Sequence, residues 1–183
     1  MKKKDWVDIE TPNGEYDNFG AEIEAQPLSD DYAEYGLVFR TTNNKDSDYE
    51  LGITSDGGYF PWKYIAGNYT DVDPVKWTRT PLVKTGKNKN LIGVIAQGNT
   101  FALYINRVLV NTITDDSLMG KGNVGFYTAT GADNANAVVA FSRLTILTPD
   151  QARAEWGGDA PAAPSTSQPA KTPLNPALRP ACT

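Results

Sequence analysis

Large apolar side chains alternate with polar ones through most of this chain, in clusters rich in Val, Ile, Phe and Tyr that recur between residues 3 and 148. A period of two puts every second side chain on one face of an extended segment, so these clusters form half-buried strands and not helices. The breaks between them hold Gly, Asn and Asp at a spacing of about 8–12 residues, the pattern of an antiparallel β-sandwich. Strands are expected over residues 4–10, 18–27, 34–41, 49–55, 58–65, 91–97, 100–106, 108–114, 123–129 and 137–147. Several joints carry matching turn chemistry. Asp56-Gly57-Gly58 and Gly98-Asn99 supply positive φ angles, and Asn106-Arg107 forms a two-residue loop whose Asn tolerates the left-handed region. No stretch before Asp150 is long and periodic enough for a core helix, so the fold class is all-β.

Composition changes after Thr148. The text from Pro149 reads PDQARAEWGGDAPAAPSTSQPAKTPLNPALRPACT and holds seven of the twelve prolines with almost no apolar periodicity. Such a segment buries too little surface to offset its ordering entropy. The expected organisation is therefore one domain over residues 1–148 and a disordered Pro/Ala-rich linker or tail over 149–183. A short helical turn is expected at 150–155, with Trp156 packing back on the domain before Gly157-Gly158 ends it.

Charge and residue counts exclude whole classes of function. Seventeen Lys and Arg against 22 Asp and Glu give a net charge of -5. A nucleic-acid binder needs a basic stripe to displace counterions from phosphate, so neither nucleic acid nor an anionic membrane surface is an expected partner. No run reaches the roughly 18 apolar residues of a spanning helix, and Met1-Lys2-Lys3-Lys4 leads into Asp5, not into the apolar stretch of an export signal. Histidine is absent and Cys182 is the single cysteine. Ser-His-Asp and Cys-His catalysis, His-ligated zinc, Cys₄ clusters and intrachain disulfides are thereby excluded within this chain. Carboxylate chemistry, oxygen-ligated metals and plain binding remain. Residues 5–56 hold fourteen acids and two bases, whereas Lys76, Arg79, Lys84, Lys87 and Lys89 fall in a segment without an acid; both stretches read as solvated surface.

The order of motifs resembles a known family. A GLVFR strand at 36–40 is followed by YELGI at 49–53, a DGG hairpin at 56–58, WKY at 62–64, NLIGVIAQG at 90–98, LYIN at 103–106, an acidic exit at 115–116 and GNVGF at 122–126. Residues 5–148 so resemble the concanavalin A-like, laminin-G-like jelly rolls of the family-16-glycoside-hydrolase-like group. The resemblance implies a jelly-roll sandwich and a fold that hosts enzymes, lectins and interaction modules alike. One departure stands out. Relatives open with an extra apolar strand and loop before the segment matching 4–10. The chain is thus expected to be a piece of a larger protein, or to carry an open sheet edge that something else covers, which makes self-association through the N-terminal edge strand an expectation.

Three sets of side chains are candidates for chemistry. Glu22-Ile23-Glu24 places two carboxylates on one strand face, where a retaining glycosidase needs them about 5–5.5 Å apart. Jelly-roll glucanases resemble E-[ILV]-D-x-x-E or E-[ILV]-D-x-E; here Glu24 replaces the Asp and Gln26 the last carboxylate of the short form, which removes the acid/base. The pair is expected to face solvent without catalysing. Asp46-Ser47-Asp48-Tyr49-Glu50, Asp71-Val72-Asp73 and Asp115-Asp116 are oxygen-rich, and Asp115 and Asp116 are the calcium candidates, although no cofactor is required. Tyr59, Phe60, Trp62, Tyr64, Tyr69 and Trp77 cluster within nineteen residues. Flat rings pack the C–H faces of sugars, so Trp62, Tyr64, Tyr69 and Trp77 are the candidate ligand-binding residues. Phe60, Trp62 and Tyr64 share one strand face. If that face is inward, the rings are core and Lys63 points out. Asn68-Tyr69-Thr70 matches a glycosylation acceptor, a triplet too common to weigh. The reading is a non-catalytic extracellular or cell-surface module of a larger protein that binds a carbohydrate or protein ligand. Its rivals are a jelly-roll glycoside hydrolase and a structural protein that assembles through an open sheet edge.

Overall fold

The computed structural model describes residues 7–12, 14–72, 74–129 and 136–157. Among these residues thirteen strands and one helix follow one another: β1 (Val7–Glu10), β2 (Glu15–Tyr16), β3 (Phe19–Pro27), β4 (Glu34–Thr41), β5 (Ser47–Thr54), β6 (Gly58–Ile65), β7 (Asn68–Asp71), β8 (Thr78–Arg79), β9 (Asn90–Gln97), β10 (Thr100–Ile105), β11 (Val108–Thr114), β12 (Gly122–Ala129), β13 (Val139–Leu147) and α1 (Pro149–Trp156). All ten expected strands are present, most within two residues of the expected bounds; residues 4–6 of the first lie outside the described residues, as does the tail from 158 to 183. The alternating pattern gave no sign of β2, β7 and β8, which are two to four residues long and hold few large apolar side chains.

The strands form two antiparallel sheets. The eight-stranded sheet runs β1-β12-β4-β5-β6-β7, with β2 beside β12 and β8 beside β6; the five-stranded sheet runs β11-β10-β9-β3-β13. Their facing surfaces enclose the core. Tyr35, Leu37 and Phe39 of β4 and Tyr49, Leu51 and Ile53 of β5 meet Ile23 of β3, Ile92 and Val94 of β9, and Phe101 and Leu103 of β10. Phe39 stacks on Tyr49 at 5.4 Å and meets Phe101 edge-on at 5.3 Å. Each such buried ring or aliphatic side chain contributes about 1.5–3 kcal/mol.

The hairpin between β10 and β11 turns at Asn106 (φ 51°) and Arg107 (φ 64°), the paired positive angles of a type I′ turn. Asn106 offsets the strain through its amide, which donates to the carbonyl of Leu82 and accepts from the N–H of Leu91. Arg107 does so through a two-pronged bond to Glu22.

Helix α1 covers the outer face of the five-stranded sheet. Thr148 caps its N-terminus in a capping box with Gln151, Pro149 stands in the first turn, and Gly157 (φ 75°) ends it. Ala152 and Trp156 are buried against Ile95 and Tyr104, with the Trp156 and Tyr104 rings edge-on at 5.3 Å. Gly20 makes this contact possible, because a Cβ there would collide with that of Ala152. The compositional change at Thr148 is thus the N-cap of a packed helix, and packing continues through Trp156.

Candidate functional site

Alternation decides which side chains leave the core of the eight-stranded sheet. With Tyr35, Leu37, Tyr49, Leu51, Ile53 and Tyr59 facing inward, Glu34, Val38, Asp48, Glu50, Phe60, Trp62 and Tyr64 face outward. Register sorts them into rows. Val38, Glu50, Trp62 and Asp71 form one; Asp48, Tyr64 and Tyr69 form the next; Tyr127, Gly36, Gly52 and Phe60 form a third. The paired glycines leave a trough across which Tyr127 lies, since a Cβ on Gly52 would collide with the Tyr127 hydroxyl and the Phe60 ring. Gly58 in the same way makes room for the indole of Trp77.

The four aromatic candidates from the sequence therefore lie on one face, Trp62 and Tyr64 buried (7% and 9% exposed) and Tyr69 and Trp77 half-buried. Trp62 packs on Phe60 at 4.5 Å and on Tyr69 at 5.5 Å, Tyr64 packs on Tyr69 at 4.7 Å, and Trp77 sits over Gly58. Tyr59, from the same cluster, points into the core instead. Lys63 lies on the core-facing row and reaches Asp115 Oδ2 at 2.6 Å and Ser117 Oγ at 2.8 Å.

Beneath the rings are carboxylates the sequence did not single out for this face. The Tyr69 hydroxyl donates to Glu50 Oε1 at 3.0 Å, and Trp62 Nε1 donates to Asp71 Oδ1 at 3.1 Å. Glu34 is 2% exposed and Glu50 1%. Burial pushes the Glu34 carboxyl up to about 8, and the charge of Glu50 adds to the shift. Among the described residues the Tyr127 hydroxyl, in a side chain 1% exposed, has no hydrogen-bond partner. Burial first, then the charges of Glu34 and Glu50, hold that hydroxyl well above its ordinary acidity range. Tyr32 is raised too, by burial, Glu34 and Asp56 in that order. The one signal for these groups was the run of Asp48, Glu50 and Thr54 between apolar residues of β5.

Glu22 and Glu24 share a face, but it is the outer face of the other sheet. Arg107 grips both oxygens of Glu22 at 2.9 Å, while Glu24 Oε1 accepts from Lys89 at 2.8 Å and Ser142 at 2.7 Å. The bonds from Lys89 and Ser142 hold the Glu24 carboxyl below its ordinary range, the wrong direction for a proton donor. Asp115 spends both carboxylate oxygens on protein donors: Oδ1 accepts from Tyr49 (2.6 Å) and the Ser117 N–H (2.9 Å), and Oδ2 from Lys63. Asp116 beside it is exposed. Among the described residues no group of three or more acidic side chains is placed to hold a metal ion, and no helix is long and apolar enough to cross a membrane.

These two sheets, joined in this order, define the concanavalin A-like jelly roll. Among solved structures the fold is similar to the carbohydrate-binding module CBM66 from Bacillus subtilis, with a TM-score of 0.64 at 17% identity over 80% of this chain and 84% of that one. It is similar as well to a tetrameric galectin from the sponge Cinachyrella (TM-score 0.56, 11% identity, 77% of this chain and 99% of that one). A third is a family 16 endo-glucanase from Bacteroides ovatus (TM-score 0.57, 8% identity, 73% and 71%). No protein-family model matches the chain, and no curated protein does. Binding modules, lectins and enzymes share this fold, so function has to be argued from side chains.

Proposed function

We propose that the protein is a non-catalytic carbohydrate-binding module whose site is the outer face of the eight-stranded sheet. One observation carries the reading: Trp62, Tyr64, Tyr69 and Trp77 gather on a single sheet face together with Glu50 and Asp71, which their polar edges hold in place. Tyr69 and Trp77, half-buried, offer flat apolar surface to the C–H face of a pyranose and exposed Asp71 receives its hydroxyls, while buried Trp62, Tyr64 and Glu50 hold them in place. The similarity to a carbohydrate-binding module and to a galectin supports it. An extracellular or cell-surface setting within a larger protein goes with this reading, because polysaccharide is met there.

One observation favours glycoside hydrolysis as a second reading. Glu34 holds its proton at neutral pH close enough to Glu50 to feel its charge, the electrostatic pairing of a general acid with a carboxylate. Both are nearly fully buried, which keeps them from a glycosidic oxygen and favours binding.

Affinity electrophoresis through gels that contain soluble polysaccharides tests the reading. The protein should be retarded by at least one of them, and Trp62→Ala and Tyr69→Ala should run as in empty gel while Trp156→Ala stays retarded. Retardation that survives both ring variants overturns the site. Release of reducing sugar that Glu50→Gln abolishes establishes the second reading.

A further inference from the structure

We propose that the site takes an extended run of about four or five sugar units laid along β6, stacked on Tyr69 at one end and on Trp77 at the other, and not a single sugar or a disaccharide. The inference rests on the carbohydrate reading above and concerns the length of glycan that the same site engages.

Two short strands share one edge of β6. β7 pairs with Trp62, Lys63, Tyr64 and Ile65, and β8 with Gly58 and Tyr59. Between them the ladder breaks at Pro61, whose carbonyl accepts from the Val72 N–H but which has no N–H of its own to offer that edge. Past this point Val72 and Val75 turn into the core, and pairing with β6 resumes at Thr78. Each short strand thereby brings one aromatic ring onto the outer face. Tyr69 packs on Trp62 and Tyr64, and Trp77, next to the start of β8, lies over Gly58. Both rings are half-buried, and exposed Asp71, opposite Trp62, stands between them along β6.

Behind the two rings the face is closed. Val38, Asp48, Glu50 and Phe60 are buried in the rows that lead across β6, β5 and β4, so a glycan is held to the rim and follows the direction of β6. Tyr69 lies over Trp62 and Tyr64 and Trp77 over Gly58, which puts the rings about 14–20 Å apart at the usual rise of an antiparallel strand. A pyranose unit, built from bonds near 1.5 Å, advances its chain by about 5 Å. A mono- or disaccharide therefore covers one ring and leaves the other bare. A run of about four or five units covers both, and its central hydroxyls pass the Asp71 carboxylate, which accepts from them. The second stacking contact is then made within a complex already formed, so it adds to the first without a second loss of translational freedom.

Isothermal titration of the full chain with oligosaccharides of one to eight units, prepared from glucan, mannan, galactan and xylan, tests the proposal. In at least one series affinity should rise at least tenfold from the disaccharide to the pentasaccharide and then level off. Tyr69→Ala and Trp77→Ala should each lower the pentasaccharide affinity at least tenfold and flatten the dependence on length. Trp77→Ala leaves the bond from Tyr69 to Glu50 in place and serves where Tyr69→Ala does not fold. A disaccharide bound as tightly as the pentasaccharide, or a length dependence that survives Trp77→Ala, overturns the inference while carbohydrate binding stands. So does retardation by a polysaccharide whose own oligosaccharides fail to bind at every length. Failure of every polysaccharide and every oligosaccharide to bind overturns the carbohydrate reading itself, and the inference with it.

Discussion

Replacing Glu34 by Gln should stabilise the protein at neutral pH and remove a pH dependence that the wild type carries. The carboxyl of Glu34 moves from an ordinary value of 4.5 to about 8 in the fold. Below pH 4.5 both folded and unfolded chains hold the proton, and nothing is lost. As pH rises toward 8 the unfolded chain gives it up while the folded chain keeps it, so the folded state loses ground at about 1.4 kcal/mol per pH unit. The loss reaches about 3 kcal/mol at pH 7 and about 5 kcal/mol at pH 8 and above, as an upper estimate. Gln keeps the shape and cannot ionise. Urea unfolding of both proteins, followed by tryptophan fluorescence at intervals from pH 4.5 to 9, reads the difference directly, and contributions from other groups cancel. The advantage of Glu34→Gln should grow steadily to pH 8 and then level off. In a Glu50→Gln background the levelling should begin at lower pH, because the neighbouring charge is part of the shift. A difference between the two proteins that stays flat across this range refutes the account of a buried acid on this face.

Trp156→Ala should cost about 3–5 kcal/mol, the range for truncating a buried large aromatic, and should release α1 from the five-stranded sheet, seen as faster amide exchange over Ala152 and its neighbours. Lys63→Met should cost about 1–3 kcal/mol, because it breaks a half-buried ion pair. Burial alone would raise the Asp115 pKa, but bonds from Lys63, Ser117 and Tyr49 outweigh it and hold it well below the ordinary value, so this stabilisation is present above about pH 4 and lost in acid. The acid-side loss should accordingly be smaller in the variant. Among the described residues strand β1 ends the eight-stranded sheet with β12 on one side only. If that edge recruits a second copy, size-exclusion chromatography with light scattering should show an oligomer that Val7→Pro converts to monomer without unfolding.

The sandwich was legible because its inward rows are long: Tyr35, Leu37 and Phe39, or Tyr49, Leu51 and Ile53, spell the period directly. Strand β7 was not, since Asn68, Tyr69, Thr70 and Asp71 form an edge of mixed polarity whose place is set by pairing with β6. That Phe60, Trp62 and Tyr64 share a face was legible too. Which face was not, because both faces of β6 are rich in apolar side chains, with Tyr59 inward and the three rings outward. The acids beneath the rings were hidden for a different reason. Glu34, Glu50 and Tyr127 come from three strands, and only the β12-β4-β5 order brings them together. Glu22 showed the reverse: its strand and face were readable, but its partner Arg107 stands 85 residues away.

Carbohydrate recognition on the outer face of the eight-stranded sheet is tested most directly by the indole N–H signals of the tryptophans. Trp62 and Trp77 stand on that face, and Trp156 of α1 is buried against the opposite sheet, so the molecule carries its own control. In ¹H–¹⁵N spectra of a Trp6→Phe protein, assigned by single Trp→Phe replacements and titrated with the polymer that retards it most, Trp62 and Trp77 should shift progressively while Trp156 stays in place. Shifts confined to Trp156, or binding that moves neither Trp62 nor Trp77, contradict the account.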